Sequence, residues 1–208
     1  MAITAWNTIF QRDGKVFAEP HEAIPAIAQR MAETGGRTVL DIGSGTGRHV
    51  VFFTAQGFSV FGLDSSPVGL EMTRQWLAET GCSAQLGAQD IYDRLPYEDA
   101  FFDAVVSVQV IHHARIAPIC SLIREIARVL KPGGLVFVTV PQFRNQGTRF
   151  EEVEPGTCIP LDGQEAGLPH HYFTPEELRR EFAAFDRLDL QIDTVNHYCL
   201  TGVKRQTR

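Results

Sequence analysis

The chain has 208 residues, 44% of them hydrophobic and 21% charged, which suits one globular domain with a substantial core and leaves too little for two. A formal net charge of −6 argues against a broad phosphate-binding face, and the basic tail Lys204-Arg205-Gln206-Thr207-Arg208 is too short to reverse that, so no nucleic-acid partner is expected. The N-terminus has no basic stretch followed by an apolar one, and no apolar run approaches bilayer length, so a cytoplasmic protein without a membrane partner is expected.

Residues 1–35 carry Trp6, Phe10, Phe17 and His21, which would form either a lid or a helix packed on a sheet edge. A strand is expected over 37–42, where Val39, Leu40 and Ile42 suit a buried parallel position. It ends in Asp41 and the glycines Gly43, Gly45 and Gly47, which let the backbone turn sharply and lie against a ligand. A dinucleotide fingerprint would place a third glycine where Arg48 stands. A carboxylate before the first glycine repels phosphates and suits a ligand with an ammonium group. The next strand, over 58–63, leads to Asp64, about 20 residues on, the spacing at which an acid meets ribose hydroxyls.

Asp64-Ser65-Ser66-Pro67 opens a helix over 67–80, capped by Ser65 or Ser66, with Leu70, Met72, Thr73 and Leu77 inward and Gly81 as the stop. A strand over 83–88 precedes Asp90 and Ile91, and another over 103–109 ends at Gln109. The helix over 117–130 buries Leu122, Ile123, Ile126, Val129 and Leu130 and leaves Arg124, Glu125 and Arg128 outward. After a strand over 134–140 comes an unusually long loop, 142–173, a length that points to function. Thr174-Pro175-Glu176-Glu177 is a capping box for a helix to about Phe182, and segments 187–193 and 196–204 form a hairpin. Cys82, Cys120, Cys158 and Cys199 form no Cys-x-x-Cys pair and are expected to be reduced, with only Cys158, in the long loop, of functional interest.

The run Val39-Leu40-Asp41-Ile42-Gly43-Ser44-Gly45-Thr46-Gly47 resembles the first signature of the class I S-adenosylmethionine-dependent methyltransferases. Asp64, Gln89-Asp90-Ile91 through Leu95-Pro96-Tyr97, Phe102-Asp103-Ala104-Val105 and Leu130-Lys131-Pro132-Gly133-Gly134 resemble later signatures in the family's order; Gln89 replaces a usual glycine. The resemblance implies a single α/β domain: a Rossmann-like, doubly wound, mostly parallel seven-stranded sheet of order 3-2-1-4-5-7-6, with the last strand antiparallel. It divides the chain into an N-terminal cap (1–35), a cofactor-binding core (37–141), a substrate lid (142–173) and a terminal helix and hairpin (174–204). It also implies S-adenosylmethionine as cofactor and S-adenosylhomocysteine as product. The implied cofactor contacts are Asp41 at the methionine end, Gly43, Gly45 and Gly47, Asp64 and Ser65 at the ribose, Asp90 and Ile91 at the adenine, and Gln109.

Loops at the carboxyl ends of parallel strands converge on one rim, which gathers His112 and His113 after the fourth strand and His170 and His171 at the end of the insertion. An imidazole there could take a proton from an acceptor, and His170 and His171 are preferred over His113 because the insertion is where specificity is expected. A metal site built from the paired histidines is not expected, because adjacent side chains point apart on regular structure. No Asn/Asp-Pro-Pro-aromatic motif is present, which speaks against nucleic-acid amino methylation. The expected function is in-line methyl transfer to a small molecule by a monomer or homodimer; the rivals are a non-catalytic cofactor sensor and an NAD-linked oxidoreductase.

Overall fold

The computed structural model describes residues 2–15, 17–143 and 149–206, with side chains from Trp6 onward. Residues 144–148, near the start of the insertion, and the last two residues of the basic tail lie outside the described residues. The strands are β1 (Thr38–Ile42), β2 (Ser59–Asp64), β3 (Gln85–Ala88), β4 (Phe102–Val108), β5 (Leu130–Pro141), β6 (Phe150–Glu154), β7 (Thr157–Pro160), β8 (His170–His171), β9 (Phe185–Ile192) and β10 (His197–Lys204). The helices are α1 (Ala2–Asp13), α2 (Ile24–Glu33), α3 (Arg48–Ala55), α4 (Pro67–Glu79), α5 (Ile116–Val129) and α6 (Pro175–Glu181).

The main sheet has the order β3-β2-β1-β4-β5-β10-β9, which, counting only its own seven strands, is the expected 3-2-1-4-5-7-6. Leu40 lies opposite Phe61 on one side and Val105 on the other, in parallel register. β10 runs antiparallel to both β5 and β9. Side chains alternate across a strand, so each strand feeds two cores. Leu40, Ile42, Leu63 and Val105 pack under Leu122, Ile123 and Ile126 of α5 and Leu178 of α6. Val39, Val60, Val106 and Phe137 pack on the other face, against Ile24, Ile27 and Met31 of α2 and Val50 and Phe53 of α3. Each such side chain contributes about 1.5–3 kcal/mol of burial free energy.

Of the two candidate caps for α4, Ser66 does the work, accepting from Gly69 N at 3.1 Å. Gly81, at φ +67°, ends the helix. Gly69 occupies the inward face where Met72 was expected, and Met72 is half-buried. Thr174 caps α6 as expected, accepting from Glu177 N at 3.1 Å. Arg128 does not stand outward. Its fork donates to Tyr97 O at 2.7 Å and Leu95 O at 3.0 Å, and it pairs with Glu125 and Asp99. The loop before β4 has carbonyls with no ladder partner, and a guanidinium on the adjoining turn of α5 is long enough to satisfy them.

Asp103 and Lys131, members of two separate signatures, meet as an ion pair at 2.7 Å. The same carboxylate accepts from Arg37 N at 2.8 Å and Thr38 N at 2.9 Å, tying the entry of β1 to β4 and β5. Burial alone would raise the Asp103 carboxyl, but Lys131 and these donors outweigh it and hold it at about 2. The folded value lies below the ordinary 3.8, so the stabilisation is complete above about pH 4 and is lost as pH falls through the folded value. The shift corresponds to about 2 kcal/mol. Urea unfolding followed from pH 6 to pH 2 should show this loss in the wild type and a flatter profile in Asp103→Asn; parallel profiles would count against the clasp.

The insertion is not a loop. It folds as a small antiparallel sheet of order β6-β7-β8, with Cys158 opposite His170 and Thr157 opposite His171. Cys158 therefore sits on a strand, buried, with its thiol pushed up by desolvation, which removes the reason to single it out. In the N-terminal region α2 packs on the face of the sheet over its central strands and not at an edge, whereas α1 and the segment after it supply Trp6, Phe10 and Phe17 to the cavity described next.

Candidate active site

The carboxyl ends of β1, β2, β3 and β4 surround a cavity of about 480 Å³, within the range typical of small-molecule sites. Its floor is the turn after β1. Gly43 N and Ser44 N both donate to Leu63 O, at 2.7 and 3.1 Å. Asp64 accepts from Gly45 N at 2.8 Å through one oxygen and from Ser66 N at 2.7 Å through the other. Burial pushes the Asp64 carboxyl above its ordinary value, opposed by those two donors. One carboxylate thus shapes the glycine turn, starts α4 and faces the cavity.

The glycines take up the positive φ of a sharp turn, as expected, and are needed for a further reason. A Cβ on Gly43, at φ +71°, would come within 2.4 Å of both methyls of Val110, and one on Gly47, at φ +93°, within 2.5 Å of Thr73. In both cases the obstacle is the protein's own packing. Gly43 and Gly45 line the cavity, whereas Gly47 lies behind it and N-caps α3.

Asp41 also lies behind the wall, 1% exposed, with His49 Nδ1 3.8 Å from its Oδ2 and no hydrogen bond to that oxygen. Ser44 Oγ, on the wall itself, is likewise buried without a partner. Buried polar atoms left unmatched are costly, and they fit a ligand that brings a donor. Arg48, which sequence reasoning used only to reject a dinucleotide, reaches the wall with its guanidinium 4.7 Å from the Phe17 ring centre. Burial lowers its pKa and Asp41 opposes that. A cation placed directly after the glycine turn was the available signal.

Ser65, Asp90, Ile91 and Gln109 all line the cavity. Asp90 Oδ1 accepts from Tyr92 N at 3.0 Å, and Tyr92 OH donates to Ile111 O at 3.3 Å, bracing the loop after β3 on the turn after β4. Gln109 has φ +61°, a strained conformation for this residue type and one that collects at binding sites.

The histidines divide differently from expectation. His113 is on the wall, its ring 5.2 Å from Trp6, its Nδ1 buried without a partner. Burial and the neighbouring His170 push His113 down to about 4, so it is neutral at physiological pH. His170 stands behind it, between Leu168 O and Glu165 Oε2, each 2.9 Å from a ring nitrogen. His171 points away from the cavity, its Nδ1 2.8 Å from Thr157 Oγ1. The backbone N–H of His171 donates to His112 O at 2.8 Å, which docks the insertion on the core. His197 is 3.3 Å from the Gln109 amide and 3.1 Å from Asp193, a brace from the hairpin. The argument that neighbouring histidines point apart fails here: His112 and His113 sit in a turn, with ring centres 4.0 Å apart.

The sheet order and the rim site define a class of nucleoside-cofactor enzymes, and the comparisons with known proteins identify the family. A family model described as a methyltransferase domain matches residues 39–134. An uncharacterized methyltransferase of Mycobacterium bovis is 31% identical over 193 residues, covering 88% of this chain and 72% of the relative. A ubiquinone biosynthesis O-methyltransferase of Chelativorans is 35% identical over 103 residues, 50% of this chain and only 40% of that protein. The solved 1,6-didemethyltoxoflavin-N1-methyltransferase of Burkholderia thailandensis, with bound S-adenosylhomocysteine, superposes with a TM-score of 0.71 at 22% identity, covering 99% of this chain and 88% of that one. The chain belongs to the class I S-adenosylmethionine-dependent methyltransferases, which sets aside the oxidoreductase reading. Among the described residues, no helix is long and apolar enough to cross a membrane.

Proposed function

We propose that this enzyme methylates a small molecule held between the glycine turn and the His113 wall. The supporting observation is the cavity itself, open at about 480 Å³ and walled on one side by the nucleoside-type contacts and on the other by Trp6, His113 and Gly167–Pro169. Of the described residues of the insertion, Gly167–Pro169 line this space and leave it open, which speaks for an acceptor site over a non-catalytic sensor. The residues lining the cavity fit the cofactor: Asp64 and Ser65 at the ribose, Asp90 and Ile91 at the adenine, Gln109 beside them and Arg48 for the carboxylate of the methionine end, with Asp41, behind the wall, acting on the ammonium through its negative field and not by contact. When bound, the sulfonium supplies an already activated methyl group. The protein's part is to align the acceptor and exclude water, and the aromatic cap of Trp6, Phe10 and Phe17 supplies the dry side of the pocket. A neutral His113 is suited to accepting a hydrogen bond from an acceptor hydroxyl, amine or thiol.

The test is methyl release against a metabolite panel, paired with cofactor calorimetry. For any acceptor found, His113→Ala should lower kcat/KM by about tenfold or more while leaving cofactor affinity within about twofold. His171→Ala should lower stability and leave kcat/KM per folded molecule nearly unchanged. A His113→Ala enzyme with full activity would move the acceptor site elsewhere.

A further inference from the structure

We propose that His112, His113, His170 and Glu165 form a binding site for a divalent transition-metal ion at the wall of the cavity. One ligand atom from each of the three histidines lies within 4.8 Å of the others. His112 is 4% exposed and His170 4%, and the Nδ1 atoms of both His112 and His113 are buried with no hydrogen-bond partner. Two lone nitrogens left without a partner in one buried cluster are costly for a protein that has only packing to gain from them.

The geometry of His170 adds a second, independent argument. Its Nδ1 is 2.9 Å from the carbonyl oxygen of Leu168, and a carbonyl only accepts, so Nδ1 carries a hydrogen. In the neutral ring Nε2 then presents a lone pair, yet it faces Glu165 Oε2 at 2.9 Å. The contact needs a positive centre between the two atoms, which either a proton on Nε2 or a bound metal ion supplies. Two ligands each about 2.1 Å from one metal are about 3 Å apart at an octahedral right angle and about 3.4 Å apart at a tetrahedral angle, so the 2.9 Å contact needs little movement to admit an ion. An imidazole whose other nitrogen donates to a backbone carbonyl is also the usual arrangement for a metal ligand. Three imidazoles and a carboxylate suit zinc, iron(II), cobalt(II), nickel(II) or manganese(II), in contrast to magnesium or calcium, which take oxygen.

His113 lines the cavity, so an ion bound to it sits where an acceptor can reach an open coordination position. On the reading of this cavity as the acceptor site, the His113 lone pair would go to the ion, and the ion in its place would hold an acceptor hydroxyl and ease loss of its proton to water; the oxygen would then form a bond to the methyl carbon as the carbon–sulfur bond breaks. Metal binding itself does not depend on that reading.

The experiment uses the full chain, stripped with a chelator and titrated with cobalt(II) alone and then zinc(II), without cofactor or acceptor. The expected result is one equivalent of cobalt with ligand-field bands in the visible, displaced by zinc. Glu165→Gln, on a side chain 42% exposed and tolerant of change, and His170→Gln should each weaken binding by about tenfold or more. Both variants should keep wild-type cofactor affinity by calorimetry, which shows that they are folded and separates failure here from failure of the proposed methyl transfer. Three results would overturn the assignment. One is less than a tenth of an equivalent bound, which leaves the His170–Glu165 contact an ordinary hydrogen-bonded pair. Another is unchanged affinity in both variants. The third is a sulfur-to-cobalt charge-transfer band lost in Cys199→Ser, which would place the ion at the separate His21, Asp193 and Cys199 cluster.

Discussion

Replacing Asp64 with alanine should weaken S-adenosylmethionine binding by about 10- to 100-fold and also lower the stability of the free protein. The carboxylate is 8% exposed and accepts from Gly45 N and Ser66 N. Its removal strands two backbone donors, each at a cost of about 1–3 kcal/mol, and takes away the proposed ribose contact, a charged hydrogen bond worth about 1.5–3 kcal/mol. Asp64→Asn should recover part of the stability, because one amide oxygen can still accept while the NH2 group meets a donor. Calorimetry on each variant, at a temperature where circular dichroism shows it folded, separates the two effects. Unchanged affinity in a folded Asp64→Ala protein would remove the ribose assignment and leave Asp64 as the brace of the glycine turn.

Gly43→Ala should cost about 2–5 kcal/mol. Part is conformational, since φ +71° is in the left-handed region and costs a residue with a Cβ about 1–2 kcal/mol. The rest is overlap with the Val110 methyls at 2.4 Å, in the range of about 1–3 kcal/mol for overpacking. Urea unfolding of Gly43→Ala, Val110→Ala and the double variant resolves the two parts. The double variant should recover the packing part and retain the conformational one. A single variant as stable as the wild type would mean that the turn relaxes freely, and then the glycine would have no structural reason to be there.

Much of the architecture is written in local patterns. The apolar run of Val39, Leu40 and Ile42, the caps at Ser66 and Thr174, the stop at Gly81 and the ordered signatures suffice for the elements of the main sheet and, with the family resemblance, for the strand order. These signals are local: a strand's parity, a cap's hydroxyl and a glycine's conformational freedom act within a few residues. The rim of the cavity is legible for the same reason. Asp64, Ser65, Asp90, Ile91 and Gln109 follow strand ends, and strand ends converge in this fold whatever the rest of the chain does.

Whatever depended on pairing between distant segments was decided only by the tertiary structure. Cys158 and the expected loop became part of a small sheet, because β7 finds β6 and β8 by backbone pairing that leaves little periodic trace in so few residues. Lys131 and Asp103 read as parts of separate signatures, and only the fold brings them to 2.7 Å. The histidines show the limit most directly. The sequence placed His112, His113, His170 and His171 near one rim, but which ring faces the cavity depends on turn geometry. In the fold His113 lines the cavity, His170 backs it against Glu165 and His171 turns to Thr157. Side-chain direction outside regular structure has no sequence period, and it is settled by the packing of segments that meet only when the chain has folded.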